Sequence, residues 1–325
     1  VIGVDSFQGR VLITGGAGFL GSALVNHFLK KGVEITVVDS ARRLSNYAYF
    51  DIRLVKLVEL EWPDYSGLKD LGKFDSIIHL AWTTNPASSM RDVSFDASSN
   101  ILGTIELLET MKCGNSSKII FLSSGGTVYG NNSGGVVSEE SATNPVSAYG
   151  ISKLACEKYV NLYGSGESCC STVLRLGNPY GPYQLNGTPV GVISSFIRHL
   201  HANRSIDIYG TGENVRDFIH IDDVVSAISM CVCRNDVSGV FNLGSGKGYS
   251  INQILQIIEE LTEQAVEVNY LPDRRADVRE IILDVNKIKR HLGFECKTSL
   301  VTGISEMLTA GGLKSKGSAA ASVAE

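Results

Sequence analysis

Short, nearly unbroken apolar runs recur along the first half of the chain. They are Arg10–Thr14 (RVLIT), Glu34–Val38 (EITVV), Ile52–Leu57, Asp75–Ala81 (DSIIHLA), Lys118–Leu122 (KIIFL) and Thr172–Leu176 (TVLRL). Runs apolar at every position predict strands covered on both faces, as in a parallel sheet. Between them, Phe19–Lys31, Asp96–Met111 and Ala148–Tyr163 place apolar residues at helical spacing. Repeated strand–helix alternation predicts an α/β fold built on a doubly wound parallel sheet. After Gly177 the rhythm changes. Asn178–Pro189, rich in Pro, Gly and Tyr, predicts a loop. A helix near Val190–His201, a strand at Ile206–Tyr209, a helix near Asp222–Cys233, a strand at Val240–Leu243 and a helix near Asn252–Thr262 follow. This organisation gives a first domain over 1–177 and a smaller α/β domain over 178–310, whose segments are free to interleave with the first. Residues 311–325 (GGLKSKGSAAASVAE) form a low-complexity stretch expected to be a disordered tail.

Composition narrows the classes. The 325 residues are 43% hydrophobic and 19% charged, which suits a globular core. A net charge of −5 argues against a nucleic-acid-binding surface, which carries a basic bias. The few cations that a diphosphate needs still fit within this balance. No apolar run is long enough for a membrane span, and Val1–Arg10 lacks the basic and apolar regions of a signal peptide. The seven cysteines are an odd number scattered over predicted elements, and read as reduced thiols of a cytoplasmic protein. Cys231 and Cys233 form a C-x-C pair with no second pair or His cluster beside it, so no metal is expected.

The turn after the first strand carries the first chemical signal. Thr14-Gly15-Gly16-Ala17-Gly18-Phe19-Leu20-Gly21 links the first strand to the first helix. Gly15 permits a tight turn, Gly18 lets the backbone approach a pyrophosphate, and Gly21 lets the helix pack close to the sheet. Free N–H groups at the helix start then hold phosphate. In the order strand, glycine turn, helix and second strand, this is a Rossmann-type dinucleotide site. Asp39, after the second strand, can accept hydrogen bonds from the adenosine ribose and repels a 2′-phosphate, which favours NAD over NADP. Arg42 and Arg43 stand nearby and pull the other way.

The second signal is Tyr149-Gly-Ile-Ser-Lys153. Four residues apart at a helix start, Tyr149 and Lys153 share one face. A phenol with a pKa of roughly 10 is a poor base at neutral pH. An ammonium and a positive nicotinamide beside it favour the phenolate. Lys153 can also donate to the cofactor's ribose. Together they can take a proton from a sugar hydroxyl as hydride leaves. Tyr65 and Lys69 have the same spacing, but no Ser-rich strand end precedes them, and they read as surface residues.

With these residues in place, the chain resembles the extended short-chain dehydrogenase/reductase family, on its NAD-dependent epimerase/dehydratase branch, and within it the nucleotide-sugar 4-epimerases. The matching segments are TGGAGFLGS (Thr14–Ser22), HLAW (His79–Trp82), NILGT (Asn100–Thr104), SSGGTVYG (Ser123–Gly130), YGISK, LRLGNPYGP (Leu174–Pro182) and VRDFIHIDD (Val215–Asp223), in family order. The resemblance implies Tyr149 as base and Lys153 as its partner. It places Gly15, Gly18, Phe19, Leu20, Gly21, Asp39, Leu80, Ala81, Asn100, Tyr149 and Lys153 around NAD. It places Asn178, Arg216, Phe218, Arg274 and Asp277 around a nucleotide-diphosphate sugar. A homodimer is expected by family analogy.

One departure stands out. Such epimerases carry Ser or Thr where this chain has Gly125, so the hydroxyl that would face the sugar's O4 is missing there. Ser124 and Thr127 flank the gap and are the side-chain candidates to supply it, with a water held by Gly126 N–H as the other source. Ser124 ranks first because Gly125-Gly126 lets the backbone turn. The same turn lacks the Asp-Glu pair, at Gly126 and Thr127, that 4,6-dehydratases need, and the Glu at Thr127 that decarboxylating relatives need. Epimerisation at carbon 4 through a 4-keto sugar needs neither. Two other readings stay open: an NAD(P)H-dependent 4-keto-sugar reductase, and a catalytically silent dinucleotide-binding protein.

Overall fold

The computed structural model describes residues 7–45, 49–60, 67, 71–114, 118–131, 135–164, 169–185, 191–273 and 278–315. Its strands are β1 (Arg10–Thr14), β2 (Glu34–Asp39), β3 (Lys56–Glu59), β4 (Ser76–His79), β5 (Lys118–Ser124), β6 (Val136–Val137), β7 (Cys170–Leu176), β8 (Asn178–Tyr180), β9 (Ile206–Tyr209), β10 (Val215–His220), β11 (Gly239–Leu243), β12 (Gly248–Ser250), β13 (Val268–Leu271) and β14 (Glu280–Leu283). Seven of them form one sheet in the order β11-β7-β5-β4-β1-β2-β3. Every pairing in it is parallel.

The continuous apolar runs work as a two-sided pattern. Val11 and Ile13 of β1 join one core cluster, and Leu12 between them joins the cluster on the opposite face. In β5, Ile120 and Leu122 face the first cluster, while Ile119 and Phe121 face the second. This is the period-2 alternation of strand side chains, with both faces dry. The helices Phe19–Leu29 and Ile221–Cys233 cover one face. Leu107, Leu108 and Met111 of the helix Gly103–Gly114, with Cys156 and Val160 of the helix Ala148–Tyr163, cover the other. Phe121 is fully buried, and its truncation to Ala should cost about 3–5 kcal/mol.

The expected boundary at Gly177 divides the chain in sequence but not in space. β11 returns to pair with β7, and Ile219, Ile221, Val224, Ile288 and Leu292 belong to the core of the first sheet. A second body is formed by the sheet β12-β10-β14-β6, with β8 paired to β10, and by the β13–β9 pair. Its own core gathers Ile193, Phe196, Ile254, Ile258, Ile304 and Met307. Three local expectations change. Ile52–Leu54 is a 3₁₀ turn, because the Asp51 side chain accepts from Arg53 N and caps it, and the strand begins at Lys56. The predicted loop at 178–189 opens with β8, because β10 offers it a parallel edge. The helix expected over Asp96–Met111 is broken into Val93–Asp96, a π-helical segment Ala97–Leu102, and Gly103–Gly114. Of the tail, Leu313 N donates to Leu308 O and Ser315 is buried, while 316–325 lie outside the described residues. No helix among the described residues is long and apolar enough to cross a membrane.

Candidate active site

The site lies where the chain leaves β1 to one side of the sheet and β4 to the other, beyond the carboxyl ends of the strands. Open α/β sheets bind ligands at such a switch point. Gly15 has φ +71°, and a Cβ there would stand 2.8 Å from Ala81 N. The turn and the segment after β4 therefore touch backbone to backbone. Leu80 N donates to Thr14 O at 3.1 Å, which fixes that contact. At Gly21 a Cβ would fall 2.4 Å from Gly15 O, so the helix can lie this close to the turn only with glycine there. Gly18 differs. A Cβ there would meet Gly15 O at 3.1 Å and Arg43 Nη1 at 3.6 Å, with no other group within 4 Å among the described residues. It marks a cradle beside a guanidinium, which suits a pyrophosphate. Asp39, at the end of β2, accepts from Ala17 N at 3.0 Å and Ser40 N at 2.9 Å. Phe19 and Leu20 are half-buried against the first core. These residues fit a dinucleotide.

The helix Ala148–Tyr163 starts at Ser147, whose hydroxyl accepts from Gly150 N at 3.2 Å. Tyr149 sits in its first turn, and its N–H donates to Ser89 Oγ at 3.0 Å. The Ser124 side chain stands beside the phenol and favours its ionised form. Burial pushes the phenol up to about 12, the Asp96 charge adds to the rise, and Ser124 opposes it. The chain by itself therefore holds Tyr149 as a neutral phenol. Lys153 is buried, donates to Leu122 O at 2.7 Å, and is pulled down to about 7 by burial, with the Cys156, Glu157 and Asp96 charges opposing.

The turn after β5 places its residues unequally. Ser124 ends the strand and its side chain caps nothing. A Cβ on Gly125 would lie 2.8 Å from Leu283 Cδ1 and 3.0 Å from Arg175 O, so position 125 faces packed protein from β14 and β7. A Cβ on Gly126 would lie 3.2 Å from Asn178 Oδ1, which puts Asn178 on the same side as Ser124. Thr127 Oγ1 turns back to Ser124 O at 3.5 Å.

Asn100 is fully buried and its amide is spent on the protein. Its Oδ1 accepts from Thr83 N at 3.0 Å, and its Nδ2 donates to Asp96 Oδ1 at 3.1 Å and Thr84 Oγ1 at 3.2 Å. It braces the segment after β4. Arg216 is half-buried and donates to Val215 O at 2.9 Å. Phe218 is buried in the second core, edge-on to Tyr180. Arg274 and Asp277 lie outside the described residues, as do Tyr65 and Lys69.

Three neighbours were not anticipated. Asp96 is fully buried and accepts from Thr84, Asn100 and, at 2.6 Å, Ser152 of the helix Ala148–Tyr163. Ser152 itself sits between Tyr149 and Lys153 in sequence. Trp82 lies under the Lys153 ammonium. An acid at the start of the predicted helical stretch, and a tryptophan directly after a buried strand, were the available signals. Among the described residues, His220, Asp222 and Glu306 also bring three ligand-type atoms within 4.8 Å of one another, away from this turn.

A glycine-turn dinucleotide cradle joined to a Tyr–Lys pair at the same switch point defines a nucleotide-dependent enzyme of the Rossmann class. The chain belongs to the NAD dependent epimerase/dehydratase family, whose model matches residues 11–244. A UDP-glucose 4-epimerase of Thermotoga maritima, solved with UDP-glucose, is 35% identical with a TM-score of 0.86, over 93% of this chain and 98% of that one. A UDP-glucose 4-epimerase of Mycolicibacterium smegmatis is 31% identical over 91% of this chain and 96% of its own. A dTDP-4-dehydro-6-deoxyglucose reductase of Escherichia coli is 30% identical over 94% and 98%.

Proposed function

We propose that the protein is an NAD-dependent 4-epimerase of a nucleotide-diphosphate sugar, with a UDP-hexose or UDP-N-acetylhexosamine as substrate. The observation that carries this reading is the gathering of Tyr149, Lys153 and the Ser124 side chain at the switch point, beside a turn with no carboxylate at positions 126 and 127. Such a site can move a proton on O4 and lacks the acids that elimination at carbons 5 and 6 demands. Bound NAD⁺ supplies the hydride acceptor and a positive charge. Tyr149 takes the O4 proton. Ser124 donates toward the oxygen as it becomes a ketone. Lys153 holds positive charge beneath the phenol. Asn178 and Arg216, with Arg274 and Asp277, hold the nucleotide diphosphate. The keto-sugar then turns over and is reduced on its other face, so no net cofactor is consumed.

The test is incubation with UDP-glucose, UDP-galactose and their N-acetylamino forms, with NMR of the sugar protons. Conversion of one 4-epimer into the other without net NADH is the expected result. The E. coli relative's name favours a second reading, a 4-keto-sugar reductase. Stoichiometric NAD(P)H consumption with a 4-keto sugar would establish that one instead.

We also propose a homodimer. Ile151, Tyr159 and Leu162 form one exposed face of the catalytic helix, at 56%, 37% and 68% exposure, and Leu102 at 59% is a further exposed apolar residue. A monomer by sedimentation would overturn this. Free thiols at Cys156, Cys169, Cys170, Cys231, Cys233 and Cys296 support a reducing, cytoplasmic location.

A further inference from the structure

We propose that Trp82 is a positioning residue of the catalytic pair: its indole face forms, with Phe121 and Tyr149, a neutral aromatic cage that fixes the Lys153 ammonium and keeps it charged. The Lys153 Nζ stands 3.6 Å from the Trp82 ring centroid, 5.0 Å from that of Phe121 and 5.8 Å from that of Tyr149. All three fall within the roughly 6 Å over which a ring face attracts a cation. The cage holds itself together. Trp82 meets Tyr149 edge-on at 5.8 Å and leans on Phe121 at 6.2 Å. Phe121 projects from β5 and Trp82 follows β4, so two adjacent strands of the main sheet aim both rings at the ammonium of the catalytic helix.

The chemistry explains why rings serve here. A buried ammonium is costly, and the carbonyl of Leu122 takes one of its three donors. An adjacent carboxylate would keep Lys153 charged but would cancel its field at Tyr149. A ring quadrupole holds the cation without bringing a net charge, so the field still reaches the phenol. The titratable groups facing Lys153 are Tyr149, Cys156 and Glu157 on its own helix, Asp96 from the helix Val93–Asp96, and His79 from β4. Glu157 is held by Arg175 at 2.8 Å, and Asp96 by Ser152 at 2.6 Å. His79 is kept neutral by burial, its ring bonded to Thr14 and Thr104 hydroxyls. The indole also carries a cost. Trp82 Nε1 is buried and finds no acceptor among the described residues. A purely apolar side chain would avoid that penalty, and what the indole adds in return is its aromatic face over the ammonium.

This role rests on the epimerase reading for its consequence but not for its measurement. The experiment is an NMR titration of ¹³Cε-labelled lysines in the protein with its bound cofactor, with Lys153→Met identifying the resonance. Trp82→Phe keeps a smaller ring face, and Trp82→Leu removes it. The Lys153 midpoint should fall by about one pH unit in Trp82→Leu, and by a few tenths in Trp82→Phe. The alkaline limb of the kcat/KM profile should move down by the same amounts. Midpoints unchanged in both variants would overturn the cage. Should Trp82→Leu fail to fold, an unchanged midpoint in Trp82→Phe alone does so. A variant that loses activity equally at all pH values, with an unmoved midpoint, would show Trp82 to be packing and no more. Shifted midpoints in a protein that converts no UDP-sugar would leave the cage standing and remove the epimerase reading instead.

Discussion

Two glycine-bearing turns end two neighbouring regions of the same sheet, and their glycines answer to different neighbours. After β1, Gly15 and Gly21 make room for the protein's own backbone: Ala81 N lies 2.8 Å from one absent Cβ and Gly15 O 2.4 Å from the other. Neither contact involves a side chain that could swing aside. After β5, Gly125 makes room for Leu283, a side chain of the second body, at 2.8 Å, and Gly126 for the Asn178 side chain, whose Oδ1 would stand 3.2 Å from a Cβ. The first turn is built for a ligand that lies along a backbone. The second gives up a side chain at position 125 so that the two bodies can close. The hydroxyl absent from Gly125 is thus a consequence of packing, and Ser124, beside the Tyr149 phenol, is the hydroxyl left at the site.

The difference can be broken most severely at the first turn. Gly21→Val would drive a side chain into Gly15 O and Gly16 Cα, at 2.4 and 2.5 Å from its Cβ. Backbone cannot yield as a side chain can, so the loss should reach about 3 kcal/mol, the upper part of the usual overpacking range. The helix start would leave the turn and the cofactor would be lost with it. Urea unfolding and the dinucleotide content of the purified protein check both effects. Tyr149→Phe comes next and leaves the first turn untouched. It should lower kcat by roughly 100-fold or more while NAD stays bound. Retention of more than a few per cent of the rate would remove Tyr149 as the base.

Arg216→Ala should weaken binding of substrate and of free nucleotide diphosphate alike, by roughly 1.5–3 kcal/mol for one charge-assisted contact. Calorimetry with UDP measures this without turnover. Unchanged UDP affinity would mean that Arg216 serves the strand, where it already bonds Val215 O.

How much of this was legible follows the same division. Residues whose neighbours are near in sequence, or whose apolar runs are long, could be read from the chain. β1 and the helix Ala148–Tyr163 have the bounds that the pattern predicts, and the glycine turn lies between the expected elements. β8 and β14 are short, and β10, Val215–His220, mixes charges into its run. These strands exist because each supplies the other an edge, more than 30 residues away along the chain. The π-helical segment that carries Asn100 was invisible for a related reason. Its distortion accompanies the buried Asp96, whose partners Thr84 and Ser152 come from other elements. Gly125 could be recognised as a departure, but Leu283 is 158 residues away and nothing local names it.

The finest test of the contrast is therefore a comparison of Ser124→Ala, Gly125→Ser and Leu283→Ala. Ser124→Ala should reduce kcat about tenfold, because a donor to the developing ketone oxygen is lost while Tyr149 remains. In that background Gly125→Ser should restore nothing, since its Cβ would stand 2.8 and 2.9 Å from the two Leu283 methyl carbons and its backbone neighbour Arg175 O is at 3.0 Å. It should also lower stability by about 1–3 kcal/mol through overpacking. Leu283→Ala opens a cavity at a buried site and is destabilising alone. Combined with Gly125→Ser, however, the two losses should fall short of their sum, because each relieves the other, with a coupling of about 0.5–3 kcal/mol. Denaturant melts of the four proteins give that coupling directly. Two results would reverse the assignment: additive losses would mean that Leu283 does not dictate the glycine, and recovery of kcat by Gly125→Ser alone would mean that position 125 faces the sugar after all.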